Sequence, residues 1–105
     1  MIARIWRGRT KAEHTDTYLD ILRTTGVADY TATPGNRGVQ VLTRTADGVT
    51  EYTVLTLWES REAIAQFAGD DIETARYYPE DEKYLLEFNE TVEHYECPIV
   101  AFPSR

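Results

Sequence analysis

His94, Trp58, Arg76 and a group of tyrosines are the side chains suited by type and placement to chemistry. Histidine titrates near neutrality, so His94 can act as a general base; a hydrogen-bonded sheet histidine is the plainer reading. Trp58 closes a strand-like run and either stacks on a planar ligand or fills the core with its N–H on a carbonyl. Tyr52 and Val54 alternate with Trp58 and share its strand face. Tyr77, Tyr78 and Tyr84 follow the second helical stretch. Their phenols could bond and stack on an oxygenated aromatic, or build a core or a subunit interface. Arg76 beside them could steady an anion or pair with a surface carboxylate.

Other chemistry finds less support. His14 falls among Glu13 and Asp16 and reads as exposed. Two histidines on different elements, with one cysteine, make no metal-ligand pattern, so no metal is expected. Cys97 would need a base and a lowered pKa to act as a nucleophile. Asp70-Asp71 reads as a helix cap and Glu80-Asp81-Glu82 as a solvated turn. The glycines of Thr33-Pro34-Gly35-Asn36-Arg37-Gly38 match neither a Walker loop nor a dinucleotide fingerprint, which leaves a connector. No Ser-His-Asp arrangement is recognisable.

The elements that must position these groups form one domain, residues 1–105, since the length is one domain's worth. A charge of −7 repels phosphate backbones and anionic lipid, so nucleic acid and membrane are not expected partners. Arg4, Arg7, Arg9 and Lys11 sit close to Glu13 and Asp16 and read as a mixed surface. The same arginines interrupt any apolar leader, and a lone cysteine allows no internal disulfide. A cytoplasmic protein is expected. Asn89-Glu90-Thr91 fits the glycosylation pattern but carries little meaning in that compartment.

Residues 2–8 read as a first strand. Thr10 and Glu13 have capping-box spacing ahead of a helix over about 11–25, with Gly26 as terminator. Strands follow over 38–45 and 49–58, joined by the hairpin signal Asp47-Gly48. Ser60 opens a second helix with Ala63, Ile64 and Phe67 inward and Gly69 as its stop. Asp70-Asp71 is expected to cap a further short helix reaching Tyr78, with another turn or two over 80–88. Residues 91–99 alternate as a fourth strand, its tail limited by Pro98 and Pro103. The order is β-α-β-β-α-β, an α+β ferredoxin-like arrangement with a four-stranded antiparallel sheet. Helices cover one sheet face, and a second subunit is the simplest cover for the other.

The element order, the strand end Leu57-Trp58-Glu59-Ser60-Arg61-Glu62-Ala63-Ile64 and the closing Val92-Glu93-His94-Tyr95-Glu96 resemble the antibiotic biosynthesis monooxygenase-like superfamily. The resemblance implies a homodimer whose sheets close into a dimeric α/β barrel, with a pocket between sheet and helices in each subunit. It also implies oxidoreductase chemistry: a monooxygenase that turns a small aromatic or polyketide-like substrate into a quinone with no cofactor. Such a site needs apolar walls and polar groups that favour the substrate anion, which passes an electron to O2. On this reading Trp58, His94 and Arg76 are the catalytic candidates, and Tyr52, Val54, Trp58, Tyr77 and Tyr78 the substrate-binding ones. The quinone-forming members carry an asparagine where Val54 stands. The haem-degrading members use a first-strand asparagine, a tryptophan and a histidine on the second helical segment; here the first strand offers Arg4 and Trp6 but no asparagine, and residues 60–88 contain no histidine. A non-catalytic small-molecule binder or stress-related protein is the alternative, and a haem protein with His94 as axial ligand a weaker one.

Overall fold

Alternation of side chains along the first segment, Ile2, Arg4, Trp6 and Thr10 inward, organises the whole molecule. In the computed structural model, which describes residues 1–103, this segment is β1 (Ile2–Lys11). A 3-10 turn (Ala12–His14), α1 (Thr15–Thr24), α2 (Gly26–Ala32), β2 (Asn36–Ala46), β3 (Val49–Trp58), α3 (Arg61–Ala68), α4 (Asp81–Tyr84) and β4 (Glu93–Glu96) follow. The sheet order is β2-β3-β1-β4 with every pairing antiparallel. This is the ferredoxin-like α+β arrangement expected from the element order.

Register decides which side chains share a face. Arg4 lies opposite Thr56 on β3 and His94 on β4, and Trp6 lies opposite Val54. Tyr52, Val54, Thr56 and Trp58 all point to the helices and are buried. Leu55 and Leu57 point the other way and are only partly covered. The β2–β3 hairpin turns at Asp47 and Gly48, both with positive φ (53° and 76°), as a two-residue primed turn requires.

The first helix departs from expectation. Thr10 is not its cap: β1 continues through Lys11, and the buried Thr10 hydroxyl meets Tyr52 Oη at 2.9 Å. The helical run also breaks in two. Thr25 takes φ −112° and ψ −93°, its hydroxyl donating to the Ile21 carbonyl at 2.6 Å. Gly26, expected as a terminator, instead opens α2 beneath the Tyr30 ring, where it is buried.

Helix α3 matches its expected signals. Ser60 Oγ accepts from the Ala63 amide at 3.1 Å, Ile64 and Phe67 are buried, and Gly69 leaves with φ 87°. The helix expected after Asp70-Asp71 does not form. Residues 69–80 are irregular, and the Asp71 carboxylate accepts from the Glu73 amide and the Thr74 hydroxyl. This segment pairs with the approach to β4: Ala75 N–H reaches Glu90 O and Val92 N–H reaches Glu73 O, both at 2.9 Å. The fourth strand is shorter than the expected 91–99, because Pro98 cannot donate to a ladder.

Candidate functional site

The core between sheet and helices is largely aromatic. Tyr18 and Leu22, one turn apart on α1, pack down on Tyr52 and Val54. Tyr18 and Tyr52 meet edge to face at 5.0 Å. Tyr30 of α2 packs on Phe67 at 4.5 Å and edge-on to Trp58 at 6.4 Å. Amid these rings lies a small cavity of about 20 Å³, walled by Arg4, Trp6, Tyr18, Leu22, Thr25, Gly26, Tyr30, Val54, Arg76, Tyr78 and Asp81.

The polar groups on this wall are fixed by a few bonds. Asp81, buried at the start of α4, accepts from Tyr18 Oη and from the Tyr78 amide, each at 2.8 Å. Tyr78 Oη donates to Asp29 Oδ2 at 2.6 Å. Arg76 donates to the Phe67 carbonyl at 3.0 Å and to Asp29 at 3.3 Å, its guanidinium 4.8 Å from the Phe67 ring centre. Arg4 is fully buried and donates through Nη2 to the Thr74 carbonyl at 3.1 Å.

Burial shifts Tyr18, Tyr78, Tyr30 and Arg4 away from ionisation. It pushes the Tyr18 phenol far up, helped by the adjacent Asp81 carboxylate. Tyr78 is raised by burial and by its bond to Asp29, with Arg76 opposing. Tyr30 is raised by burial against the pull of Arg4, and burial lowers Arg4 itself.

Of the residues named from sequence, Arg76, Tyr78 and Val54 meet on this wall. Trp58 lies behind it, fully buried, its indole N–H donating to Thr56 Oγ1 at 2.7 Å. Tyr52 lies deeper, bonded to Thr10. Tyr77 accepts from the Trp6 indole at 3.4 Å and donates to the Asn89 carbonyl. His94 lies beyond Arg4 on β4, outside the cavity wall. Its side chain is 3% exposed, with Nδ1 3.3 Å from Glu73 Oε1 and neither ring nitrogen in a hydrogen bond. Burial lowers its pKa, Glu73 opposes, and the charges of Arg4 and Arg61 reinforce the drop.

Arg4, Trp6, Tyr18, Leu22, Thr25, Gly26, Tyr30 and Asp81 complete the wall. Arg4 could have been found from alternation alone, since it shares a strand face with Trp6. Asp81 carries no such signal, because its burial comes from Tyr18, 63 positions away.

Two further hollows lie on the sheet's other face. A groove of about 580 Å³ is lined by charged and polar residues including Arg7, Arg9, Arg44 and Glu51. A second space of about 400 Å³ lies between Ala3, Leu55 and Leu57 and the terminal segment through Phe102. Their size exceeds that of the sheet–helix cavity, and their polar lining is mostly exposed, the buried Tyr52 at the larger groove excepted.

His94, expected as the axial ligand of a haem, does not line the sheet–helix cavity, which has room for about one water. Among the described residues no cluster of His, Cys, Asp and Glu could hold a metal ion, and no helix is long and apolar enough to cross a membrane.

Solved structures share this architecture. A proposed antibiotic biosynthesis monooxygenase from Nitrosomonas europaea superposes with a TM-score of 0.69 at 16% identity, covering 94% of this chain and 100% of that one. A second such protein, from Bacillus cereus, gives 0.62 at 19%, covering 95% and 97%. A mutant of MhuD with two manganese protoporphyrin IX bound per active site gives 0.61 at 20%, covering 98% and 100%. No curated protein matches in sequence. The antibiotic biosynthesis monooxygenase family matches residues 1–72, and the chain belongs to that family.

Proposed function

We propose that the chain is a monooxygenase that binds a small aromatic or polyketide-like molecule at the sheet–helix cavity, which has to widen from its room for about one water to admit it, and oxidises it without a bound cofactor. The observation that carries the reading is the cavity wall, where two guanidinium groups and three phenols converge in a chain of this family. Such a wall stabilises a substrate oxyanion through charge-assisted bonds in a water-poor setting.

The chemistry closes on substrate and dioxygen alone. An activated methylene loses a proton, and the carbanion passes one electron to O2. The radical pair recombines to a hydroperoxide, which sheds water and leaves a carbonyl: CH2 + O2 gives C=O + H2O. Asp81 is the group on the wall best placed to take the proton, its carboxylate held by the Tyr18 phenol that donates to it. Arg76 steadies the anion, and Tyr78 orients it. Trp58 acts through Tyr30 and Phe67, whose rings it backs.

The assembly is part of this proposal. Ile5, Leu42, Leu55, Leu57 and Tyr95 share the sheet face without helices, and Leu42 and Tyr95 are half exposed. A second copy laid there would close a barrel and make a homodimer.

A specific observation favours a non-catalytic binder as the second reading. Val54, not a hydrogen-bonding residue, faces the cavity. Oxygen uptake with a hydroxylated anthrone separates the two. Turnover consumes one O2 per quinone formed and falls at least tenfold in Arg76→Gln. Saturable binding with no oxygen uptake leaves the binder as the function.

A further inference from the structure

We infer that Arg4 is the recognition residue of the sheet–helix cavity and that the molecule it selects carries a carboxylate. The inference rests on the small-molecule reading of that cavity and narrows it to an acidic ligand.

Arg4 is 2% exposed and lines the cavity. Arginine keeps its proton even when buried, and an isolated buried cation is costly unless a partner offsets it. Yet none of the ion pairs among the described residues includes Arg4. Its contacts are the Thr74 carbonyl, the Tyr30 phenol and the Phe67 ring, the last 5.6 Å from its Cζ. Its Nε–H has no partner at all.

The nearby acids make no ion pair with Arg4, though the charge of Glu73 reaches it. Glu73 lies against His94 with a side chain 59% exposed. Asp81 shares the wall, but its two oxygens serve Tyr18 and the Tyr78 amide. A partner subunit on the open face cannot reach Arg4, because Arg4 points to the helix side of the sheet. The vacant Nε–H and a neighbouring Nη–H form the edge that a carboxylate accepts with both oxygens.

Size sets the direction of entry. A hollow of about 20 Å³ admits little more than a water-sized group. The anion therefore enters first, ahead of the ligand's ring.

Benzoate and benzamide, which share a ring and differ in charge, test this on the full chain by calorimetric titration. Benzoate binds at least tenfold more tightly than benzamide. Arg4→Met abolishes that preference, and Arg4→Lys, which keeps the charge without the fork, retains only part of it. Should Arg4→Met fail to fold, the Arg4 Nε–H proton resonance of the natural chain, assigned with Arg4→Lys, shifts downfield on adding benzoate. Equal binding of the two probes, or a preference that survives in Arg4→Met, overturns the role of Arg4 and leaves the cavity reading standing. Failure of both probes to bind, with anthrone still oxidised, overturns the carboxylate alone; failure of probes and anthrone together overturns both readings.

Discussion

The Tyr18 hydroxyl donates to the buried Asp81 carboxylate at 2.8 Å, tying α1 to α4 across 63 positions of sequence. The same carboxylate holds the Tyr78 amide, so one side chain closes the cavity wall from two directions. Replacing Asp81 by Ala strands a buried hydroxyl and an amide, each costing roughly 1–3 kcal/mol. Asp81→Ala is expected to lower stability by about 2–5 kcal/mol in urea denaturation. The double variant with Tyr18→Phe should cost less than the sum of the two single changes, which the double-mutant cycle reads directly.

His94 makes stability depend on pH in the mildly acidic range. Its side chain is buried, and Glu73, Arg4 and Arg61 are the charged groups that act on it. Desolvation lowers its folded pKa below the ordinary 6.5, so the unfolded chain binds the proton more readily. Stability is therefore greatest above about pH 6.5 and declines as pH falls from there toward the lowered folded value. Melting curves between pH 7 and pH 5 should show this decline in the natural chain and a shallower one in His94→Gln. An equal slope in both would place the effect on other groups.

Gly35 makes the junction between α2 and β2 possible. Its φ is +91°, and a Cβ there would stand 2.5 Å from the Ala63 Cβ of α3. Its carbonyl also accepts from the Glu59 amide at 2.9 Å. Gly48 has a similar φ of +76° with open space around it. Gly48→Ala thus carries the left-handed backbone cost alone, roughly 1–2 kcal/mol. Gly35→Ala adds the clash and should cost about 1–3 kcal/mol more. Comparing the two urea midpoints isolates the contact from the backbone term.

The fold was legible where periodicity and local signals agree. β3 and the Asp47-Gly48 turn were readable to the residue, and Ser60 marked α3 through a bond it does make. The reading failed where a local signal met a stronger tertiary demand. Thr10 looked like a cap, but a sheet position opposite Thr50 and a bond to Tyr52 claim it. The irregular stretch 69–80 is held by pairing with residues 90–92, a contact no local pattern announces. The cavity wall was half legible for the same reason. Alternation shows which strand residues face the helices, whereas Asp81 and Tyr30 reach the cavity only through packing.

The proposed homodimer has a direct test on the open face. Leu55 lies on the central strand β3 and points away from the helices, so a lysine there leaves the core untouched. A stable pair needs roughly 1,200–2,000 Å² of complementary surface, and a charge at its apolar centre is costly. Sedimentation velocity should give a dimer for the natural chain and a monomer for Leu55→Lys, with far-ultraviolet circular dichroism unchanged. A natural chain that sediments as a monomer at micromolar concentration would remove the barrel from the proposal.

Val54 offers the sharpest separation of oxidation from binding. It lies on the cavity wall opposite Trp6, 2% exposed, and offers a substrate oxygen nothing to bond. Val54→Asn puts an amide at that spot, where a carboxamide can donate to a developing oxyanion. The buried amide should cost about 1–3 kcal/mol of stability, less if Tyr18 or Arg4 bonds it. Oxygen uptake with a hydroxylated anthrone should rise at least tenfold over the natural chain, the size expected for one added oxyanion donor. If the variant folds, binds the anthrone and consumes no more oxygen than before, the wall lacks a proton acceptor in reach, and Asp81 with Tyr18 loses its assigned part in the reaction.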